Sequence, residues 1–397
     1  MEALEKRKGT AMTGPSMQTS RRVALFMPYG YLPISTSVIN AAKTWEAHGF
    51  GVDVYVPPSE QFGVPAFGAR DIVVHRVRDL RNAGLPQLSF AYAAVRAADR
   101  ADYAYAVGFD QGGLIAAAGL AVRKRCPFVY HSLELTLREQ AHGARGRLVK
   151  AIETRCARHA RIVVTQDEER AALLVGDLRL PANRIMIVPN TPLGTYSGER
   201  SDYLRSKFGL APRSRVVLLS GSLIPEHLAL EVIESVGDWP AGFVLAVHGW
   251  APQPEYMASV LKAAARWPER VYVSFDVLPV ELVDDLYSSA DIGLAVYRPI
   301  DRNFVYIGAA AGKVFGFMRV GTPTIASDLP GMREIVVATG SGAVVRDVAE
   351  IPERLLQIVR SFDDFSRASR AAFLRYEFSR HYDRVVARLE DQPRLSL

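Results

Sequence analysis

The feature that most constrains this chain is a repeated alternation of short apolar runs with segments of helical spacing. From Arg22 onward the runs RVALFMP, GVDVYVP, DIVVHRV, DYAYAVGFD, CPFVYH, ARIVVTQ and RIMIVPN follow one another, with helical stretches such as 37–48 between several of them. Runs that are apolar at nearly every position predict strands buried on both faces, and strand–helix alternation predicts a parallel sheet covered by helices. After PNTPLGTYSGERSD, rich in turn formers, the series restarts with RVVLLSGS, GFVLAVHGW, RVYVSFD, ADIGLAVY, PTIAS and GAVV, separated by helical stretches including 228–237, 254–267 and 279–290. The expected fold is therefore α/β, with two doubly wound domains joined near residues 191–205. In such sheets ligands bind beyond the carboxyl ends of the strands, which here places the functional cleft between the domains.

A length of 397 residues and 49% hydrophobic content suffice for more than one core. The longest uncharged apolar stretch, 112–122, falls short of the roughly 20 residues a bilayer span needs, and no apolar signal segment follows the first charges. Cys126 and Cys156 form no CxxC or Cys/His pattern, which favours buried thiols in a reducing compartment over a disulfide or metal site. A cytoplasmic location is expected. Residues 1–20 are polar and aperiodic and are expected to be disordered. The charge is uneven: residues 1–190 carry 25 Lys plus Arg against 17 Asp plus Glu, and residues 191–397 carry 23 against 25. A basic first half favours contact with an anionic ligand or surface, with ordinary solvation as the alternative.

The segment NFVYIGAAAGKVFGFMRVGTPTIASDLPG, residues 303–331, places Gly308, three alanines, Gly312 and Lys313 before a helix. It is not a nucleotide-triphosphate P-loop, which has four residues between its glycines and Ser or Thr after the lysine. Small residues, a helix N-terminus and a lysine describe an anion site, although a tight turn packed on a neighbouring strand has the same composition. A dinucleotide cofactor is disfavoured, because the first strand runs into MPYGYLPIST with no GxGxxG.

Two such domains, with GK followed by GTPTIASDLPGMREIV in the second, resemble GT-B glycosyltransferases, especially the retaining family 4 type. VYHSLEL, ETRCARHARIVVTQDEERAALL and RIMIVPNTPLG look like acceptor-side segments of that family; LLSGSL, LAVHGW and LYSSADIGLAVY look like donor-side ones. The resemblance covers nearly the whole chain after the tail. It implies an N-terminal acceptor-side Rossmann-like domain over 21–196, a C-terminal nucleotide-sugar-binding one over 197–378 facing it across a cleft, and a terminal helix, 379–397, packed back on the first domain. It also implies sugar transfer from a nucleotide-sugar substrate to a glycan or lipid-linked acceptor, with retention, no metal and no cofactor. On this reading Lys313, Gly308 and Gly312, with Arg298 or Arg302 upstream, hold the leaving diphosphate. Ser222, His248, Leu278 and Glu334 complete the donor side; the alternatives are a satisfied structural histidine at 248, a plain turn at 278 and a first-turn glutamate favoured by the helix dipole at 334.

Two departures from the family pattern stand out. Its ribose-binding Glu and a second acid eight residues before it fall at Gly316 and Gly308, and GSLIPEHL replaces the usual Arg and Lys after the first donor-domain strand. On the acceptor side, His131, Glu134 and Asp110 at strand ends are the catalytic candidates; the alternatives are a strand-end cap for the first two and a helix N-cap for Asp110. The stretch 145–161 is dense in Arg and Lys, with Leu148, Ile152 and Cys156 at helical spacing. Such a helix is either solvated or lies peripherally on anionic membrane at its inner face; no nucleic-acid motif accompanies the charge. Three readings remain open from sequence: a transferase, an epimerase or phosphorylase on the same plan, or a non-catalytic homologue serving as a partner subunit.

Overall fold

A computed structural model describes residues 21–391 except 60, 66, 69–70 and 79–83. The expectation of disorder for 1–20 falls outside these residues. The N-terminal sheet contains β1 (Arg22–Phe26), β2 (Gly51–Val56), β3 (Ile72–Arg76), β4 (Tyr105–Phe109), β5 (Phe128–His131), β6 (Ile162–Thr165) and β7 (Ile185–Ile187), in the order β3-β2-β1-β4-β5-β6-β7. The C-terminal sheet contains β8 (Arg215–Ser222), β9 (Phe243–Trp250), β10 (Val271–Ser274), β11 (Ile292–Ala295), β12 (Thr324–Ser327) and β13 (Gly342–Val345), in the order β10-β9-β8-β11-β12-β13. Every pairing is parallel. Each apolar run of the sequence is one of these strands. The order reverses beside β1 in one sheet and beside β8 in the other, opening a crevice at each point.

Both faces of both sheets are buried, as continuous apolar strands require. In the first domain, Val23, Leu25, Val54 and Val107 pack under the helix Thr36–Ala47 on one face. Phe26, Tyr55 and Tyr130 pack under Pro86–Ala98 and Asp110–Lys124 on the other. In the second, Val217, Leu219 and Leu245 meet the helices Ala229–Ser235, Pro254–Ala264 and Ile351–Arg360. The helix Phe378–Glu390 returns to the first domain, where Phe378, Tyr382, Val385 and Val386 join its core. Glu377 anchors that return: its carboxylate accepts from the backbone N–H of Gly194 in the linker at 2.7 Å and caps its own helix.

The basic stretch forms the helix Gly143–Ala157, but with a different face inward from the one its apolar spacing predicts. Val149, Lys150, Glu153 and Ala157 are buried, whereas Leu148 is 47% exposed. Lys150 reaches inward because two carboxylates meet it there, Glu153 at 3.0 Å and Asp177 at 2.6 Å. Arg147, Arg155 and Arg158 remain outside. Among the described residues no helix is long and apolar enough to cross a membrane.

Candidate active site

A cavity of about 530 Å³ lies between the domains, beyond the carboxyl ends of β8 and β9. Ser222, His248 and Trp250 line it from the ends of β8 and β9 and Leu278 from the loop after β10, and Ile34, Asn40 and Asn190 close it from the first domain. The helix Gly312–Val320 contributes Gly312, Lys313, Gly316 and Arg319.

Lys313 dominates the site's electrostatics. Its side chain runs from the first turn of that helix back towards β8, and its Nζ lies 3.4 Å from where a Cβ on Gly221 would stand. Gly221 has φ +107°, a conformation open mainly to glycine, so the backbone leaves this space free for the lysine tip. The ammonium sits 5.2 Å from the centre of the Tyr297 ring, is shielded from solvent and has no hydrogen-bond partner among the described residues. Burial lowers its pKa to about 8, so it remains mostly charged at neutral pH. A buried, unpaired cation is costly, and an anion arriving beside it offsets that cost.

The surrounding histidines are neutral. His227 is pushed down to about 3 by burial and by the charge of Lys313; its Nδ1 donates to the carbonyl of Ser222, fixing the tautomer. His248 is lowered to about 4, chiefly by burial, and its Nδ1 lacks a partner, as does the Trp250 indole N–H. A cation with two unpartnered polar groups on the same wall is suited to a ligand that is anionic at one end and hydrogen-bonding along its length.

The glycine-alanine loop also meets the first domain. Its carbonyls face the first domain: the Asn190 backbone N–H donates to Ala309 O at 2.9 Å and Asn190 Nδ2 to Ala310 O at 3.0 Å. A Cβ on Gly308 would lie 3.0 Å from Pro330 O, and Gly308 does not line the cavity, which corrects its placement on the diphosphate. The small residues allow close domain contact. Gly316 has its own cause: a Cβ there would lie 2.3 Å from the Tyr287 ring, which occupies the space a family-type glutamate would need.

None of the remaining candidates lines the cavity. Arg298 is exposed and ion-paired with Glu231, away from the cavity, and Arg302 pairs with Glu139 at 3.0 Å. Glu334 is exposed and does not line the cavity. His131 does not face the cleft; it is 0% exposed and packs between Phe109 and Tyr382. Asp110 is also buried, with one oxygen accepting from the backbone N–H groups of Leu133 (2.8 Å) and Glu134 (3.0 Å). It holds the loop that carries Glu134. Glu134 itself is exposed at the interdomain seam and accepts from Asn303 Nδ2 at 2.6 Å. Sequence reasoning missed Asn190, His227, Trp250 and Tyr287 as individual residues, although each lies in one of the segments quoted above. Among the described residues, no group of three or more His, Cys, Asp or Glu is arranged to hold a metal ion.

Two Rossmann-like domains enclosing a cavity at the carboxyl ends of their sheets make up the GT-B fold, and the chain has that fold. Residues 34–191 match the family model described as glycosyl transferase 4-like domain. In fold the whole chain is similar to HepE of Anabaena in complex with UDP and glucose (TM-score 0.70, 16% identity, 94% of this chain and 100% of that one). It is similar also to sucrose-phosphate synthase of Thermosynechococcus elongatus (TM-score 0.69, 15% identity, 94% and 98%). A third is WaaG, a glycosyltransferase involved in lipopolysaccharide biosynthesis (TM-score 0.66, 16% identity, 93% and 100%). No curated protein matches the sequence significantly.

Proposed function

We propose that the protein transfers a glycosyl group from a nucleoside-diphosphate sugar, held by the C-terminal domain, to a hydroxyl of a glycan or lipid-linked acceptor presented by the N-terminal domain. The observation that carries this is the unpaired, shielded Lys313 ammonium at the head of a helix in the interdomain cavity. As the bond from the anomeric carbon to the diphosphate breaks, negative charge grows on the departing phosphate; a fixed cation aimed there lowers the barrier. Neutral His248 and Trp250 N–H are available to the sugar hydroxyls, and Leu278 to the base. Glu134 is the acceptor-side carboxylate of this reading, positioned by Asp110. Retention and independence of metal are what the resemblance to the retaining family 4 type implies. HepE's complex with UDP-glucose makes a uridine nucleotide the first donor to try.

The test is a thermal-shift panel of nucleoside diphosphates with and without chelator, followed by transfer from the matching nucleotide sugar. Stabilisation by dinucleotide cofactors alone, or by nothing in the panel, would defeat the proposal. The Tyr287 ring at Gly316 favours one second reading, a non-catalytic partner subunit, because it occupies the place of the family's ribose-binding acid. Tight nucleotide binding without turnover of any nucleotide sugar would select it. The exposed Arg147, Leu148, Arg155 and Arg158 on the helix Gly143–Ala157 support peripheral contact with anionic lipid. Flotation with anionic vesicles that is lost on neutralising the three arginines, and weakened by salt, is the expected result.

A further inference from the structure

Arg170 belongs to the helix Glu168–Leu178 of the N-terminal domain and is 1% exposed, yet its guanidinium ends against the C-terminal domain. Nη2 donates to Leu133 O and to Asn303 Oδ1, each at 2.8 Å, and Nη1 donates to Tyr306 O at 3.1 Å. None of these acceptors is a carboxylate. An arginine does not shed its proton, so a buried guanidinium is tolerated only where its fork meets well-placed dipoles. Here two of the three belong to the other domain.

Asn303 gathers these contacts. Its Oδ1 accepts from Arg170 and from the Leu135 backbone N–H at 3.0 Å, while its Nδ2 donates to Glu134. Asn190 holds the far end of the same segment through Ala309 O and Ala310 O. Residues 303–310 are thus tied to the N-terminal domain at both ends, and the chain reaches Lys313 three residues later.

We propose that Arg170 is a positioning residue for the donor-side lysine: through Asn303 the acceptor-side domain holds the segment 303–311 and so sets where Lys313 points. Donor affinity then depends on a residue of the other domain that does not line the cavity. This rests on the reading of Lys313 as the anion contact. A lysine at 170 restores the charge but reaches fewer of the acceptors, so it rescues only in part.

The experiment compares wild type, Arg170→Met, Arg170→Lys and, as a gentler cut, Asn303→Ala. Hydrogen exchange is followed over residues 303–316, and affinity is measured for inorganic pyrophosphate, a probe that needs no base contact. Arg170→Met is expected to quicken exchange in that segment and to weaken pyrophosphate binding about tenfold, the scale of one charged hydrogen bond. Arg170→Lys should lie between, and Asn303→Ala should follow Arg170→Met even if the latter folds poorly. Unchanged exchange in folded variants overturns the proposal, as does quickened exchange with unchanged pyrophosphate affinity. Wild-type protein that binds neither pyrophosphate nor UDP overturns the donor reading instead; quickened exchange in the variants tells this apart from a failed tie.

Discussion

The carboxyl ends of the two sheets each bury a basic side chain with no hydrogen-bond partner, and they treat it in opposite ways. His131, at the end of β5, lies between the rings of Phe109 and Tyr382, with centroids 5.1 Å and 6.1 Å away. Burial lowers its pKa to about 3, so the imidazole is neutral under ordinary conditions and fits an apolar slot. Lys313 experiences burial too, but its ordinary pKa is high enough that a drop to about 8 leaves the charge in place at pH 7. Histidine escapes the cost of burial by losing its proton. The lysine keeps its proton and needs an anion. Both lie near the carboxyl end of a sheet; what separates site from core is whether the buried group retains charge without a partner.

The sharpest way to break this comparison is to remove both groups in turn. Lys313→Ala should weaken nucleoside-diphosphate binding tenfold or more, since a charged hydrogen bond contributes about 1.5–3 kcal/mol. His131→Phe should leave that affinity unchanged and shift stability by less than about 1.5 kcal/mol, as a near-isosteric apolar replacement does. Calorimetric titration with UDP reads both. Equal losses in the two variants would mean that the sheet ends are not different in kind.

The pH dependence of binding is the next largest effect. With a free-protein pKa of about 8, Lys313 is mostly charged at pH 7 and mostly neutral at pH 9. Diphosphate affinity should therefore fall about tenfold over that range, with proton uptake on binding near pH 8. The sign for stability is the reverse of the usual lysine pair: folding depresses this pKa below the unfolded value, so the unliganded protein gains stability as pH rises from about 8 towards 10.5. An affinity flat to pH 9.5 would return Lys313 to the status of an ordinary exposed lysine.

The strands were legible because parallel strands buried on both faces are written as unbroken apolar runs, and Lys313 because it stands at a strand–loop–helix transition. The errors have a common physical source. His131 was assigned to the cleft by strand position alone, but the residue that covers it, Tyr382, lies on a helix some 250 positions later in the chain. Lys150 reads as one more surface cation until Asp177, from the next helix, is seen to meet it. The loop 308–312 reads as facing a ligand alone until Asn190 is seen to bind two of its carbonyls. In each case the deciding partner is distant in sequence, and spacing along one element carries no information about it.

Gly316 offers a smaller test within the donor region. If Tyr287 truly takes the place of an acidic side chain, Gly316→Glu should not restore a ribose contact; it should destabilise the protein by about 1–3 kcal/mol through overpacking against the ring. In a Tyr287→Ala background the same change should be tolerated better, a coupling that a double-mutant cycle on denaturant midpoints would measure. Simple additivity would show that the ring yields and that Gly316 has some other cause.

Asp110 gives the smallest effect and returns to the first sheet, where burial acts on an acid. Its backbone takes φ +50°, and its carboxyl is raised to about 7, first by burial and then by the charge of Glu134, despite the two backbone N–H groups it accepts from. The folded protein therefore holds a proton there between about pH 4 and 7, where the unfolded chain has lost it; the stability this brings is present at low pH and is lost as pH rises through about 7. His131 has the opposite slope, because its depressed pKa costs stability as pH falls from about 6.5 towards 3. Asp110→Asn keeps an oxygen for the two amides but carries no charge, so it should flatten the stability profile between about pH 4 and 7 and stabilise the protein by about 1 kcal/mol at pH 8. His131→Phe should flatten only the acid side. Chemical denaturation across pH separates the two, and a neutral-side slope that persists in Asp110→Asn would show that this carboxyl is already ionised in the folded protein.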